Sequence, residues 1–518
     1  MFPRSTRNNS GGRAVVGQVT MPAPVGGLNA VDAYVQMPPQ DALTLQNYIP
    51  RSSYVELRPG YALHVGALTA ATETLAQYGG EVANKLFAAA GTAIYDVTNA
   101  TSSVGAAVVT SLANAQFQSI NFSAGGGDYL VMVNGADGVR TYNGTGWSNQ
   151  SAAISSATAS DFVGVASWKS RLWFVKEQDT KAYYLGAGAI AGSCSAVDIG
   201  AIWRMGGVLQ AITAVSTDSG DGIDDHIAFI SSKGEVAIYQ GTDPDSANTF
   251  SLVGVYRIGR PLGYRCTYQF AGDALILTED GVVSMLQMMR MDRSQEGMVA
   301  LTRKIAPAFQ DASRSQGSTW GWQAVTYPSL SLAIINVPDS STVFRQYVMN
   351  TTSGAWCEFT GLNAYSWSLL GEDLYFGGAA GVYKFGRVYS DNGSAIDGAI
   401  KMAFSPLKAQ RVKRFTAMRA LLQSSGDPQA RVGINVDYED AEPTDIVSVS
   451  QTGAVWDTAL WDEATWGGET SQINRYWQVI GDVGVVVAPR VSTQTTGLEV
   501  RLLGVDLMYE PASGPVFG

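Results

Sequence analysis

Seven times along this chain an apolar strand runs into a tight polar or glycine turn and returns as a second strand rich in aromatic or β-branched residues. That is the signature of a hairpin. The pairs are residues 86–90 and 93–97, 129–133 and 139–142, 171–175 and 182–185, 227–230 and 235–239, 274–277 and 282–285, 332–335 and 344–348, and 374–376 and 381–385. Their first strands begin about 40 to 57 residues apart, the interval at which four-stranded propeller blades recur. A hairpin cannot bury its apolar face alone, whereas blades stacked around an axis cover one another. A pair of β-sandwiches would want shorter, more even spacing of roughly 8 to 12 residues. The spacing therefore predicts an all-β chain with a propeller of six or seven blades, because one hairpin can complete another's blade.

Both ends depart from this plan. Residues 1–60 contain Pro3, Pro22, Pro24, Pro38, Pro39 and Pro50 with Gly26-Gly27, which suits an extended arm and irregular strands. From about residue 390 the strands lengthen and keep one polar face, as in 430–438 and 498–509. The economical arrangement is a β-sandwich-like platform made from both termini with the propeller inserted between them. We expect 1–61 to be the arm and first part of the platform, 62–388 the propeller, and 389–518 the rest of the platform. One helix is expected, over 294–314, with Val299, Ile305 and Phe309 near helical spacing despite Pro307.

The 518 residues are 46% hydrophobic and only 15% charged, so the chain should fold rather than stay disordered, and should divide into domains. A formal charge of −11 argues against a general nucleic-acid binder, which needs surplus Lys and Arg to neutralise phosphate. Cys194, Cys266 and Cys357 are far apart and form no CxxC pair, so they read as isolated buried thiols. No stretch reaches the roughly 18 apolar residues of a membrane span, and the first residues lack a signal-peptide core. The expectation is a soluble protein assembled in a reducing cytoplasm.

Chemistry is sparsely signalled. His64 and His226 are the only histidines, and neither sits in a nucleophile motif, so both read as interface or surface imidazoles. The densest carboxylate cluster offers Asp218, Asp221 and Asp224 as Ca²⁺ donors, but the twelfth position counted from Asp218 is Phe229 where an EF-hand needs Glu. A solvated turn explains it, and no metal, cofactor or catalytic residue is assigned. Glu279 and Asp280 are accounted for by a DG turn. Trp456, Trp461 and Trp466, the first two followed by Asp457 and Asp462, read as a subunit contact, or, if exposed, as rings that stack on sugars. Asp437, Glu439, Asp440, Glu442 and Asp445 read as a solvated loop, with a like-charged channel wall as the alternative. Lys408, Arg411, Lys413 and Arg414 form the strongest basic run and are nominated as a contact with an acidic neighbour. Arg4, Arg7 and Arg13 make a basic arm suited to docking on another protein.

Several segments, in order, resemble a known family. Gly26-Gly27-Leu28-Asn29, Met37-Pro38-Pro39, Asp41-Ala42, Asn47-Tyr48-Ile49-Pro50 and Arg58-Pro59-Gly60-Tyr61 are similar to the opening of tail nozzle (tail tube) proteins of short-tailed bacteriophages, the podoviruses. Gly259-Arg260-Pro261-Leu262-Gly263, Gly272-Asp273, 277–281, Ile305 with Ala308-Phe309, Tyr327-Pro328, 351–356 and Phe359 continue it, as do Trp456-Asp457, Trp461-Asp462, 466–468, Trp477 and 506–510. The resemblance implies a non-enzymatic virion protein. Six copies would form a ring below the portal and adaptor, carry needle or fibre proteins, and let duplex DNA pass at ejection. The residues leave a second reading open, a propeller of the tail that binds or cleaves glycans.

Overall fold

The computed structural model describes residues 16–81, 83–218, 223–246, 249–270, 272–290, 300–443, 446–447, 472–473 and 476–511. The chain divides into two compact units, one of residues 58–396 and one of residues 1–57 with 397–518.

The first unit is a β-propeller. Its described strands form seven blade sheets beside a short parallel pair, Ile154–Ser155 with Gly192–Ser193, and each of the seven sequence hairpins supplies the second and third strands of one blade. The first strands stand innermost: Thr72–Tyr78, Gln118–Ala124, Phe162–Trp168, Leu209–Asp218, Thr267–Phe270, Gln323–Tyr327 and Ser366–Leu370, each near the first strand of the following sheet, with the last returning to Thr72–Tyr78. The expectation of six or seven blades resolves to seven.

Each middle hairpin is buried on both faces, which is why its strands read as near-continuous apolar runs. In Lys85–Ala90, Phe87 and Ala89 pack toward the second blade, beside Leu130, Met132 and Tyr142. Leu86, Ala88 and Ala90 pack the other way, with Leu75, Tyr375 and Val382 of the first and last blades. The same alternation sends Leu172 and Phe174 to the second blade's core, and Trp173 and Val175 to the fourth blade's. Burying side chains of this size stabilises each inter-blade layer by roughly 1.5 to 3 kcal/mol per residue.

The ring closes by exchange of chain ends. The seventh blade takes Ser366–Leu370, Asp373–Gly377 and Val382–Phe385 from the end of the unit and Tyr61–Val65 from its beginning, paired antiparallel with Val382 opposite Val65 and Phe385 opposite Tyr61. Just outside, the incoming and outgoing chains are joined. Gly60 N–H donates to Val388 O at 2.6 Å, Tyr61 N–H to Ser390 O at 3.0 Å, and Gly386 N–H to Gly60 O at 3.0 Å. Arg58, wholly buried, makes a bidentate pair with Asp391 at 2.8 and 2.7 Å and donates to Thr360 O at 2.9 Å. Gly60 is required here, since a Cβ would lie 2.0 Å from the carbonyl oxygen of Ser390.

The second unit contains two β-sheets, as a sandwich requires. In one, Lys413–Ser424 pairs along its length with Val500–Pro511, which also pairs with Gly17–Pro22 from the other end of the chain. In the other, Asp41–Gln46, Ile396–Met402, Val487–Thr495 and Ala430–Val436 lie side by side. Buried Tyr48 joins the sheets through a 2.8 Å bond to Thr493 Oγ1.

The helix differs from expectation. It spans Ala306–Gln316, preceded by a 3₁₀ turn at Arg303–Ile305. Pro307 falls in its first turn, where a missing N–H costs nothing. Ala300 is bridged to Val283 in the fifth blade, so the expected helix is cut at its front, and Val299 lies outside the described residues. A second, short helix, Met285–Arg290, begins where the sequence suggested strand.

Breaking the seam has a predictable cost. Arg58→Met strands a buried carboxylate at Asp391 and should destabilise the protein by about 3 to 5 kcal/mol, read as a lower urea midpoint. Gly60→Val should also lower it, whereas the same change at Gly371, whose Cβ site is open but whose φ is +62°, should cost only the backbone strain of about 1 to 2 kcal/mol.

Candidate functional site

At one mouth of the propeller axis lies a cavity of about 600 Å³. Two kinds of loop build it. Chain leading into inner strands supplies Asn114 and Gln116, then Arg260 to Arg265, then Gly317 to Trp322; the turns after second strands supply Asn134, Glu177 and Ser232. A site so made draws on five consecutive blades, the second to the sixth, so its shape depends on the ring being closed.

The wall is held by hydrogen bonds behind it. Asn134 Nδ2 donates to Asp137 Oδ2 at 2.6 Å and Asn114 Nδ2 to Asn134 O at 3.3 Å. Asn336, fully buried, donates from Nδ2 to Gly321 O and Ala364 O, both at 2.8 Å, while its Oδ1 accepts from Trp367 Nε1 and Gln346 Nε2. This fixes the backbone between Trp320 and Trp322. Trp320 Nε1 donates to Glu73 O at 2.8 Å, and Trp322 Nε1 to Gln316 O at 2.9 Å.

Arg265 is the unusual group. Its guanidinium lies over the Trp320 ring, 4.0 Å from the centroid, donating to Gln323 Oε1 at 3.4 Å and Tyr365 O at 3.2 Å. These are the two hydrogen bonds it makes among the described residues, and its buried Nε has no acceptor. A guanidinium carries five N–H donors, so three are uncommitted. Loss of hydration pushes its pKa down to about 9, with the Glu73 carboxylate acting weakly in the opposite sense. It remains a cation at neutral pH, poorly solvated and without a carboxylate bonded to it. Gln118 Nε2, also lining the cavity, is a second buried donor without a partner. Each unmet buried donor costs about 1 to 3 kcal/mol. Arg260, by contrast, pairs with Glu279 at 3.3 Å.

No protein-family model matches this chain, and no curated protein does. Solved structures similar to it include BBS1N in complex with ARL6DN, at 11% identity and a TM-score of 0.39 over 64% of this chain and 98% of that one. Sqt1 of Saccharomyces cerevisiae is similar at 9% identity and a TM-score of 0.36, over 66% and 96% of the two chains. An exo-β-1,3-galactanase of Phanerochaete chrysosporium, solved with galactose, is similar at 11% identity and a TM-score of 0.25, over 75% and 95%.

The residues singled out in the sequence lie elsewhere. Lys408, Arg411 and Arg414 are exposed, with no ion pair among the described residues. Lys413 is corrected: it is buried, and its ammonium donates to the carbonyl oxygens of Ala409, Arg411 and Val485, so it cannot reach a partner. Asp440 pairs with Lys401 and Arg490, Glu442 with Arg490, and Asp437 accepts the Val485 N–H, so the acidic stretch is fastened to its own unit. Asp218 and Asp224 stand on the two strands of one hairpin, Leu209–Asp218 and Ile223–Ser231, and Asp221 lies outside the described residues. So do Arg4, Arg7, Arg13, Asp445, Trp456, Trp461 and Trp466. No group of three His, Cys, Asp or Glu suited to a metal occurs among the described residues, nor a helix long and apolar enough to cross a membrane. Burial pushes the Cys194 thiol up to about 11 and Cys266 to about 12, so neither is a nucleophile at neutral pH. The cavity was missed because Arg265 follows a glycine turn with no periodic signal; the only cue was an arginine within four residues of Pro261 and Gly263.

His64 has a structural role. Its Nε2 is 2.9 Å from Val97 O and its ring lies against Tyr375, linking the seventh blade to the first. Burial holds its pKa below the ordinary 6.5. The unfolded chain therefore takes up the proton first, and stability should fall as pH drops below about 6.5, well before the carboxylates titrate. Urea midpoints measured from pH 7.5 to 5 should show this slope, and His64→Gln should flatten it.

Proposed function

We propose that the chain is a tail nozzle protein of a short-tailed bacteriophage, a structural component of the virion without catalysis of its own. The observation that carries the reading is where the family-like residues fall: on the joints of a propeller inserted into a β-platform made from both chain ends. Arg58 and Gly60 form the propeller's seam. In the platform, Asn29 Nδ2 bonds buried Asp41 at 2.7 Å, Asn47 Nδ2 bonds Asp397 O at 2.7 Å, and Asp506 holds both Thr20 and Arg419, the latter lying over Trp477.

In this reading six copies close a ring below the portal and adaptor, needle or fibre proteins attach to it, and duplex DNA passes through at ejection. Assembly takes place in the host cytoplasm before the particle is released. Net acidity of −11 suits a conduit that must not hold DNA, because each Lys or Arg paired with phosphate adds a salt-dependent brake. It also means that subunits meet through local complementary patches, for which exposed Lys408, Arg411 and Arg414 and the Trp456–Trp461–Trp466 stretch are the nominated groups.

Negative-stain images of the purified protein, alone or with its particle, should show a closed ring with a hole wide enough for duplex DNA; monomers in both settings would reject the reading. Changing Lys408, Arg411 and Arg414 together to Glu should lower the ring fraction on size-exclusion chromatography without shifting the melting temperature. Binding to duplex DNA at physiological salt should be weaker than about 100 μM, the upper edge of ordinary non-specific affinity. Tight binding would point to a DNA-gripping protein instead.

A further inference from the structure

We propose that the cavity at the propeller mouth binds an acidic saccharide, with Arg265 holding its carboxylate and neighbouring amides reading its hydroxyls. Four observations converge. First, Arg265 lines the cavity and its Nη1 and Nη2 make one hydrogen bond each among the described residues, so N–H groups of a cation stand unmet there and the missing partner must supply acceptors. Second, Arg265 is the cation there with no carboxylate bonded to it, and a planar fork of uncommitted N–H groups matches a planar carboxylate. Third, about 600 Å³ is far too large for a bare ion and falls within the range of small-molecule sites. Fourth, the lining includes the amides of Gln116 and Gln210 and the hydroxyl of Ser232 together with the rings of Tyr264 and Trp320, a surface suited to hydroxyl groups set on a ring.

The charges around the cavity favour a monoanion. Glu177 lines it, Glu73 lies close enough to act on Arg265, and Arg260 is already paired with Glu279. One free guanidinium facing two carboxylates accommodates a single negative charge better than a phosphate dianion. Trp320 and Gly321, held from behind by Glu73 and Asn336, keep the guanidinium in place before any ligand arrives, so little ordering is needed on binding. The inference stands apart from the nozzle reading, since ring formation and sugar binding are separate measurements.

Isothermal titration calorimetry on the full chain would use D-glucuronate as the probe, with D-glucose and inorganic phosphate beside it. Glucuronate should bind, more weakly as salt rises, and glucose at least about tenfold more weakly, the worth of a charge-assisted hydrogen bond. Arg265→Met should weaken glucuronate by about tenfold or more, and Gln210→Leu by about threefold, with circular dichroism unchanged. If Arg265→Met does not fold, the glucose comparison and Gln210→Leu decide. No heat from glucuronate up to about 10 mM, equal binding of glucose, or tighter binding of phosphate would each overturn the assignment.

Discussion

Everything in the propeller rests on a contact between residues more than three hundred positions apart. Arg58 and Asp391, 333 residues apart, meet as a buried bidentate pair, and Tyr61–Val65 fills the last place in the seventh blade beside them. Without that strand the blade would present an unpaired edge and the seventh-to-first interface would lose Val65 from its core. A ring has no end at which to fray, so its stability is shared only once the last joint is made. Within the propeller the joint is also the contact with the greatest loop-closure entropy, so it should form late in that unit's folding. An ion pair taken out of water is weak evidence for net stability, but losing one partner is severe, which makes the seam all-or-none.

The repeat was legible because burial on two faces leaves a direct mark. Strands such as 86–90 and 227–230 must be apolar at every position, and that run, followed by a tight turn, is visible without any structure. The outermost strands left no such mark. Trp147–Asn149 and Ser195–Asp198 are short and largely exposed, so their composition is that of a loop. The helix was placed too early because Val299 was counted on its face, while Pro307 marked its true beginning. Lys413 was misread for want of parity. In a strand, side chains alternate, and Lys413 shares its side with wholly buried Phe415 while Arg414 points the other way. Treating the basic run as one patch ignored that period.

The cavity was illegible for a different reason. It is assembled from loop residues of five blades, none adjacent in sequence to most of the others, and their conjunction depends on the number of blades and the closure of the ring. What distinguishes Arg265 is also a property of its surroundings: its guanidinium lies over the Trp320 ring, out of water, with no carboxylate bonded to it among the described residues. Most acidic groups here have local employment. Asp137 secures Asn134 and the Ala113 N–H, Asp373 takes Lys384 and Arg387, and Asp96 takes Lys85 and Thr98. A net charge of −11 therefore describes a chain whose carboxylates largely tie turns, and says little about any one face.

The seam also decides how the protein carries mechanical load. The chain enters and leaves the propeller side by side, with Tyr61 N–H on Ser390 O, Asn392 N–H on Tyr61 O, and Arg58 locked to Asp391. Tension drawn along the backbone from either side of the insertion meets this short bracket before it reaches a blade. The seven sheets lie in a loop that the bracket pinches off, and while it holds they feel none of the pull. Under such a pull the chain would thus yield first at one ion pair and a few hydrogen bonds, leaving the blades untouched until that bracket opens.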